Sequence, residues 1–341
     1  MKSAIRVTAV IAGVVLAVML AMFIRKSADS IDVSTENDTV ITANSGLPDG
    51  LEVFSDGNGV LPPLWKAEKD GSVIYMMGSI HAGDKSIYPL DSRVKKAYDE
   101  CDKVAVEHKN VDIMDMFSSD TGKDHPSVYE DGDELKNHLS GERYKLLTDA
   151  ASKAGYDLEK LNKMQLWAVY TGIASIITPM TPAEQKSRNE SSIGGKYGID
   201  RVFQILANID KKQKLSIETD EEKSSFYPEM PESVLGLLLE ERLKGENDIS
   251  DMINAYKAGD LDKLYNYNYD PSKFSETDRE AYDKLIEYSL TDRNRKMADR
   301  ALEYLENGGK VFFIVGSAHY CGEEGIPELL TASGCTVARI S

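Results

Sequence analysis

The sequence predicts an α/β domain whose sheet is built from two similar halves, one near each end of the folded region, with a mostly helical stretch between them. Three observations carry this. Val73-Ile74-Tyr75-Met76-Met77-Gly78-Ser79-Ile80-His81 is an apolar, β-rich run that closes on Gly-Ser-x-His. Val311-Phe312-Phe313-Ile314-Val315-Gly316-Ser317-Ala318-His319 repeats that pattern near the other end of the chain. Each copy is followed by a helix-like segment and a short run with β character, the order of a parallel strand–helix–strand unit. In open α/β sheets ligands bind just beyond the carboxyl ends of the strands, so His81 and His319 are expected over one site.

The elements follow in order. Val7 to Ile24 is an uncharged run of 18 residues flanked by Lys2, Arg6, Arg25 and Lys26. It is close to the roughly 20 residues a spanning helix needs and also suits a long signal-peptide core. With no small-x-small cleavage site after it and Arg25-Lys26 at its end, an anchor over residues 1–26 is the favoured reading. The flanking charges are balanced and do not orient it. Residues 27–60 are rich in Ser, Thr, Asp, Asn and Gly and read as a flexible polar linker. The domain proper is placed at 61–341. Leu64–Glu68 and Val73–Met77 form its first strand pair, turning at Asp70-Gly71. A helix capped by Asp91 or Ser92 buries Val94, Ala97, Tyr98 and Cys101. Lys103–Val106 is a strand ending on Glu107, and Lys214–Ile217 a strand ending on Glu218. Helical periodicity marks Glu134–Ala154, Leu158–Ile177, Ile199–Asn208, Pro231–Ala258 and Asp278–Asn307. This helical insertion, about residues 130–307, is either a cap over the site or a layer on one face of the sheet. Tyr265-Asn266-Tyr267-Asn268-Tyr269 reads as a packed loop. The chain closes with the strand Val311–Val315, a helix through Ile326–Thr331 stopped by Gly334, and the strand Thr336–Ile340.

Composition excludes some functions. The net charge is −17, and the four cations around the first apolar run leave −21 for the remainder. A surface this acidic repels phosphate backbones, which argues against nucleic-acid binding. Three cysteines make no disulfide framework, and burial as small residues is favoured over pairing of Cys321 with Cys335. There is no HExxH, P-loop, strand-borne GxGxxG or Gly-x-Ser-x-Gly elbow.

The remaining chemistry gathers at strand ends. Gly78 and Gly316 let the chain turn sharply and approach a ligand closely. Imidazole then offers a neutral nitrogen to a divalent metal, or a base working near neutral pH. Glu107 and Glu218 stand at strand ends on the same rim. Two His with one or two carboxylates can hold Mn, Co, Fe or Zn with a position open to water. Asp200 is well placed as a helix cap. Arg293 or Arg295, in a charged helical stretch, is either part of a solvated face or a partner for a carboxylate. His108, His125 and His138 match no ligand spacing.

Together these residues resemble the TraB/GumN family, which includes the Tiki membrane-tethered proteases. The resemblance rests on Leu64-Trp65, Tyr75 to Asp84, Tyr88-Pro89-Leu90, Val104-Ala105-Val106-Glu107, Trp167, Gly198-Ile199-Asp200, Ile217-Glu218-Thr219, Arg293-Asn294 and Val315 to His319 followed by Gly322 and Gly325. It covers about Leu61 to Ile340. It implies a mixed sheet flanked by helices, similar to erythromycin esterases and ChaN-like proteins, and a metal-dependent peptidase. Carried over, His81, His319 and Glu107 become metal ligands, with Glu107 or Glu218 as general base and Arg293 in the catalytic group. Gly78, Gly316, Asp200 and Asn294 become supporting residues. Family members often carry Gly-Thr-x-His first and Gly-Ala-Gly-His last, where this chain has Ser79 and Ser317-Ala318, and Trp167 lacks the frequent preceding Pro. These departures leave the ligands intact and bear on specificity.

The expected function is a membrane-anchored, metal-dependent hydrolase, a peptidase acting on extracytoplasmic peptides or proteins. Two other classes compete with it: a non-catalytic peptide-binding protein of the pheromone-shutdown kind, and a metal-free esterase-like hydrolase using His81 as base.

Overall fold

The computed structural model describes residues 46–108, 127–177, 197–244 and 249–341. The expected anchor, His125 and residues 27–45 of the expected linker lie outside the described residues. Among the described residues no helix is long and apolar enough to cross a membrane.

Six strands form one mixed sheet: β1 (Leu64–Lys69), β2 (Ser72–Ser79), β3 (Lys103–Val106), β4 (Gln213–Ser216), β5 (Lys310–Gly316) and β6 (Thr336–Arg339). Their order is β4-β3-β5-β2-β1-β6. The Asp70-Gly71 turn joins β1 to β2 in an antiparallel hairpin, with both turn residues at positive φ, 50° and 84°. That is the backbone such two-residue turns demand, and Asp tolerates it better than most residues. The two strands that carry Gly-Ser-x-His lie side by side and parallel, with Gly78 opposite Val315 and Ser79 opposite Gly316. β3 pairs parallel with β5 on its other side, so the last-made inner strand separates β2 from β3. The two halves therefore interleave instead of abutting.

Alternation along the strands divides the core. Tyr75, Met77, Val104, Val106, Phe312 and Ile314 face one side, with Val94 and Tyr98 of α1 (Ser92–Asp99) and Val202 and Phe203 of α2 (Ile199–Ile209). Tyr256 of α3 (Ile249–Lys257) and Leu264 of α4 (Leu261–Tyr269) extend that layer. Ile74, Met76, Ala105, Phe313 and Val315 face the other side, under Met297, Ala301 and Leu305 of α5 (Asp292–Glu306) and Leu330 of α6 (Ile326–Ala332). β2 is buried throughout, which is why its sequence is continuously apolar.

Part of the helical insertion layers the sheet, one of the two roles weighed for it, and part forms a core of its own. The Ile199–Ile209, Ile249–Lys257 and Asp292–Glu306 helices layer the sheet. Helices Gly141–Lys153, Glu232–Lys244 and Arg279–Ile286, with the Leu166–Ile177 segment, enclose a separate core around Leu147, Trp167, Val169, Leu235 and Leu285. Boundaries differ from the periodicity where caps intervene. Ser140 caps Gly141–Lys153 after a short 3-10 turn, and Asp157 caps Leu158–Asn162. Two expectations need correcting. Tyr265–Tyr269 is helix, the end of α4: Asp260 caps it and the Tyr265 and Tyr269 rings meet at 5.4 Å, the i,i+4 spacing of one face. The linker does not extend to residue 60, because Val53 is buried, Leu47 and Leu51 pack on the core, and Ser55 and Val60 bond to the Leu90 and Pro89 carbonyls.

His138 is a tie within the helical unit. Nδ1 is 2.8 Å from Glu232, Nε2 is 2.9 Å from Asp133, and the ring stacks on Tyr129 at 4.1 Å. Both bonds exist together when the imidazole carries two protons. Burial lowers its pKa, but the two carboxylates outweigh this and hold it above the ordinary 6.5. A folded-state pKa raised above the unfolded one gives stability that is full below the unfolded value and is lost as pH rises through the folded value. His138→Gln is expected to cost about 0.5–1 kcal/mol in mild acid. The difference in urea midpoint between the two proteins should shrink as pH rises above neutrality; a gap that widens would refute the assignment.

Candidate functional site

The site lies at the carboxyl ends of β2, β3, β5 and β4. The two Gly-Ser-x-His copies are stapled together there. Ser317 Oγ donates to the Ser79 carbonyl at 3.0 Å, and Tyr256 donates to the Gly78 carbonyl at 3.0 Å. A Cβ on Gly78 would stand 2.7 Å from Ser317 Oγ, so this close crossing needs glycine. Ser79 Oγ donates to Asp200 at 2.9 Å. Both motif serines are buried and engaged with fixed acceptors, which suits structural staples and not nucleophiles.

Each motif histidine is held by one nitrogen. His81 Nδ1 lies 2.9 Å from Asp200 Oδ2. Asp200 is not the cap of its helix as expected; Gly198 occupies the cap position, and the Asp200 side chain reaches across to β2 from the first turn. His319 Nδ1 lies 2.6 Å from Asn294 Oδ1. The Asn294 amide nitrogen donates to the Glu324 carbonyl at 2.8 Å, so its oxygen faces the ring and His319 Nδ1 carries the proton. His319 Nε2 is then a lone pair. Burial and Arg293 push the His319 pKa down to about 4, so the ring is neutral at pH 7. His81 is shifted the other way, above 6.5, chiefly by the Asp200 carboxylate. Its side chain is 71% exposed, so water screens that pair.

Between them lies a buried charge cluster. Glu107 Oε1 accepts the Gly316 N–H at 2.6 Å. A Cβ on Gly316 would lie 3.4 Å from this oxygen and 3.6 Å from His319 Cδ2, so Glu107 and His319 flank one glycine. Arg293 binds Glu218 with a fork, Nε to Oε1 at 2.7 Å and Nη2 to Oε2 at 2.9 Å, and reaches Glu107 Oε2 at 3.1 Å. Burial raises the Glu107 pKa, but Arg293, His81, His319 and the Gly316 amide together hold it well below the carboxylate range. Burial also opposes ionisation of Glu218, and there His108 and Arg293 win. Arg293 sits just past a π turn, Glu287–Thr291, which leads into α5. The wider turn changes the phase of the helix, and π turns of this kind recur at functional sites. Arg295, two residues on, pairs with Glu287, Asp292 and Glu324 on the outer face.

Sequence reasoning missed His108. Its Nε2 is 3.1 Å from Glu218 Oε2, and its buried Nδ1 has no partner among the described residues. Donor atoms of Glu107, His108 and Glu218 all lie within 4.8 Å of one another, so this group can hold a metal ion. His81 and His319 stand outside that tight group. The only signal in the sequence was adjacency to Glu107, which implies no ligand spacing. Phe226 was also missed; its ring centroid is 5.2 Å from the Arg293 guanidinium, and Tyr288 anchors its carbonyl at 2.8 Å. The cavity of about 370 Å³ lined by His138, Arg143 and Glu232 contains none of these residues.

The profile of the TraB/PrgY/gumN family matches residues 63–339, nearly the whole described domain. The chain belongs to that family. No curated protein and no solved structure matches it. The family's extent agrees with the geometry: the match begins beside β1, ends in β6, and encloses both Gly-Ser-x-His copies.

Proposed function

We propose that the chain is a metal-dependent hydrolase acting on peptides, built as a variation on the erythromycin esterase, ChaN and Tiki type of fold that the resemblance implies. The observation that carries this is the pair of motif histidines, each fixed through Nδ1 to a side-chain oxygen. A metal-binding imidazole characteristically spends its second nitrogen this way, which sets its tautomer and direction. Glu107, on the same rim, is the carboxylate shared by both donor sets. His81, His319 and Glu107 would hold the ion, and His108 with Glu218 is the competing set. Arg293 makes two bonds to Glu218 and one to Glu107, so the first set, which leaves Glu218 out, disturbs fewer of its bonds. A bound divalent ion would supply a nucleophilic water near neutral pH and polarise a carbonyl oxygen.

The chain's own residues do the rest. Arg293 keeps Glu107 and Glu218 ionised in a buried place, and Glu107 then has the charge to accept a proton from an attacking water. Asp200 and Asn294 keep His81 and His319 oriented. The exposed edge of His81 leaves the rim open to an extended substrate. The 18-residue apolar run and the acidic composition support a domain tethered on the outer side of a membrane, with extracytoplasmic peptides as substrates.

The test is metal content of the full-length protein purified in detergent, for wild type and for His81→Ala, His319→Ala and His108→Ala. About one Mn, Co, Fe or Zn per chain in wild type, lost in the first two variants and retained in His108→Ala, is the expected result. Loss only in His108→Ala would move the ion to the Glu107–His108–Glu218 group. A wild type that takes up no supplied metal would end the metallohydrolase reading.

A further inference from the structure

A row of aromatic rings leads from the site into the helical unit. It starts at Phe226, whose ring centroid is 5.2 Å from the Arg293 guanidinium. That ring meets Tyr288 at 5.3 Å and Tyr227 at 5.0 Å, and Tyr227 meets Tyr170 at 5.5 Å. Tyr170 in turn carries the Arg242 guanidinium at 5.4 Å from its ring centroid. The row therefore runs by direct contact from one arginine to another. All four aromatic residues are half-buried, so part of each stays open to solvent. The two π turns among the described residues each give the row one ring: Val169–Ile173 carries Tyr170, and Glu287–Thr291 carries Tyr288.

The arginines at the two ends differ in their partners. Arg293 is shared by Glu107 and Glu218, and Arg143, also half-buried, by Glu240 and Asp278. Arg242 is half-buried in the last turn of the Glu232–Lys244 helix, yet it pairs with no carboxylate among the described residues. It donates to the Tyr170 carbonyl at 3.5 Å, the long limit of such a bond. The acids before it on the helix are spent elsewhere: Glu240 on Arg143 and Lys244, and Glu241 beside Lys244 at 3.9 Å. A guanidinium offers five N–H donors in a planar fork, so most of those on Arg242 remain for an anion.

We infer that the four rings line the substrate's path and that Arg242, at its far end, is a specificity-determining residue that takes a peptide carboxylate. This rests on the hydrolase reading above. Residues on the carboxyl side of the cleaved bond lie along the row, where the rings take apolar or aromatic side chains. Arg242 then holds the carboxylate through paired N–H bonds. Arg293 cannot take that part, because its fork is occupied by Glu218 and Glu107. The carboxylate comes from the peptide's C terminus or from an acidic side chain, and the chemistry at Arg242 is the same. That group is unchanged by the reaction, so the interaction acts on KM more than on kcat.

The test uses the full-length protein in detergent and one apolar, N-blocked peptide ending in phenylalanine. It is made as the free acid, as the C-terminal amide, and as the amide extended by one glutamate. Wild type is expected to cleave the free acid with kcat/KM about 10–100-fold above the amide, the difference lying in KM. Arg242→Gln should bring the acid down to the level of the amide, and Arg242→Lys should restore part of the gap. Arg300→Gln removes the same charge from an outer pair with Glu303 and should keep the gap. Calorimetric binding of the same peptides reads the preference without turnover. A glutamate amide that behaves like the free acid makes an acidic side chain a source of the carboxylate; one that behaves like the plain amide leaves the C terminus. Alanine in place of the phenylalanine should weaken binding about tenfold, and equal binding would overturn the role of the rings. If wild type cleaves acid and amide alike, or Arg242→Gln keeps the preference, the role of Arg242 is overturned and the hydrolase reading stands. If nothing is cleaved but the acid binds more tightly and Arg242→Gln abolishes the difference, the carboxylate site stands and the hydrolase reading fails. A wild type that neither cleaves nor binds these peptides ends both.

Discussion

Replacing Arg293 by methionine is expected to destabilise the protein by about 3–5 kcal/mol at pH 7, because it strands two buried carboxylates. Glu107 and Glu218 are each buried, and Arg293 is the cation that touches both. Methionine fills much of the volume and sits well on Phe226, so the loss would come from charge and not from a cavity. The pH dependence separates this from simple packing damage. In wild type both glutamates have folded-state pKa values below the ordinary 4.5, so their contribution is present above that value and is lost as pH falls through the folded values. Without Arg293 the desolvation that already opposes ionisation is the leading influence, and their folded values move above 4.5. The variant's deficit should then be greatest at neutral pH and diminish as pH is lowered toward 4.5. Urea midpoints of both proteins across that range check it; a deficit independent of pH would mean that packing, and not charge, is what Arg293 contributes. Adding Glu218→Gln to Arg293→Met should recover part of the loss, since it removes one stranded charge.

The second large effect is expected at Asp200. Asp200→Asn should lower metal affinity by about 10–100-fold while leaving the fold intact. Asp200 accepts from Ser79 through one oxygen and meets His81 through the other. Asparagine keeps the shape but has a single acceptor, so its amide nitrogen must turn toward either Ser79 or His81. Turned toward Ser79 it can donate to the hydroxyl, and turned toward His81 it favours the tautomer that puts the ring proton on Nε2; in either case the His81 ring no longer has a carboxylate to hold the proton on Nδ1. Competition titration against a chelator of known affinity measures the change, with Ser79→Ala separating the two partners: it should weaken binding much less than Asp200→Asn. An unchanged affinity in Asp200→Asn would remove His81 from the ligand set.

Much of the sheet was legible in the sequence because its inner strands are continuously apolar and break at glycine. Lys103–Val106 matches its predicted limits, and the other strands shift by a residue or two. The pairing was less visible. That β5 inserts between β2 and β3 depends on contacts more than 200 residues apart in sequence. The same distance hides the site's supporting bonds. Asp200 looks like a cap because capping is local, while its real partners lie 119 and 121 residues away. Arg293 and Arg295 are indistinguishable in a charged helical run; the π turn that sends Arg293 inward leaves no periodic mark. His108 was overlooked because adjacent residues on a strand normally point to opposite faces, and only the Glu218 strand end brings it a partner. The Tyr-Asn alternation of 265–269 imitates a loop, and its i,i+4 ring contact becomes evident only once the helix is formed.

The position of β5 has a consequence for how the protein is made. Seven residues near the end of the chain form the strand between β2 and β3, and the turn that follows supplies His319. During synthesis β2 and β3 leave the ribosome before the strand that lies between them exists, so each waits with one unpaired edge until β5 arrives. The sheet, the stapling of Ser317 to Ser79 and the capture of Glu107 by the Gly316 amide then complete together. A nascent chain that stops before β5 lacks all three at once, so the rim that carries both motif histidines forms only after residue 319 has been made.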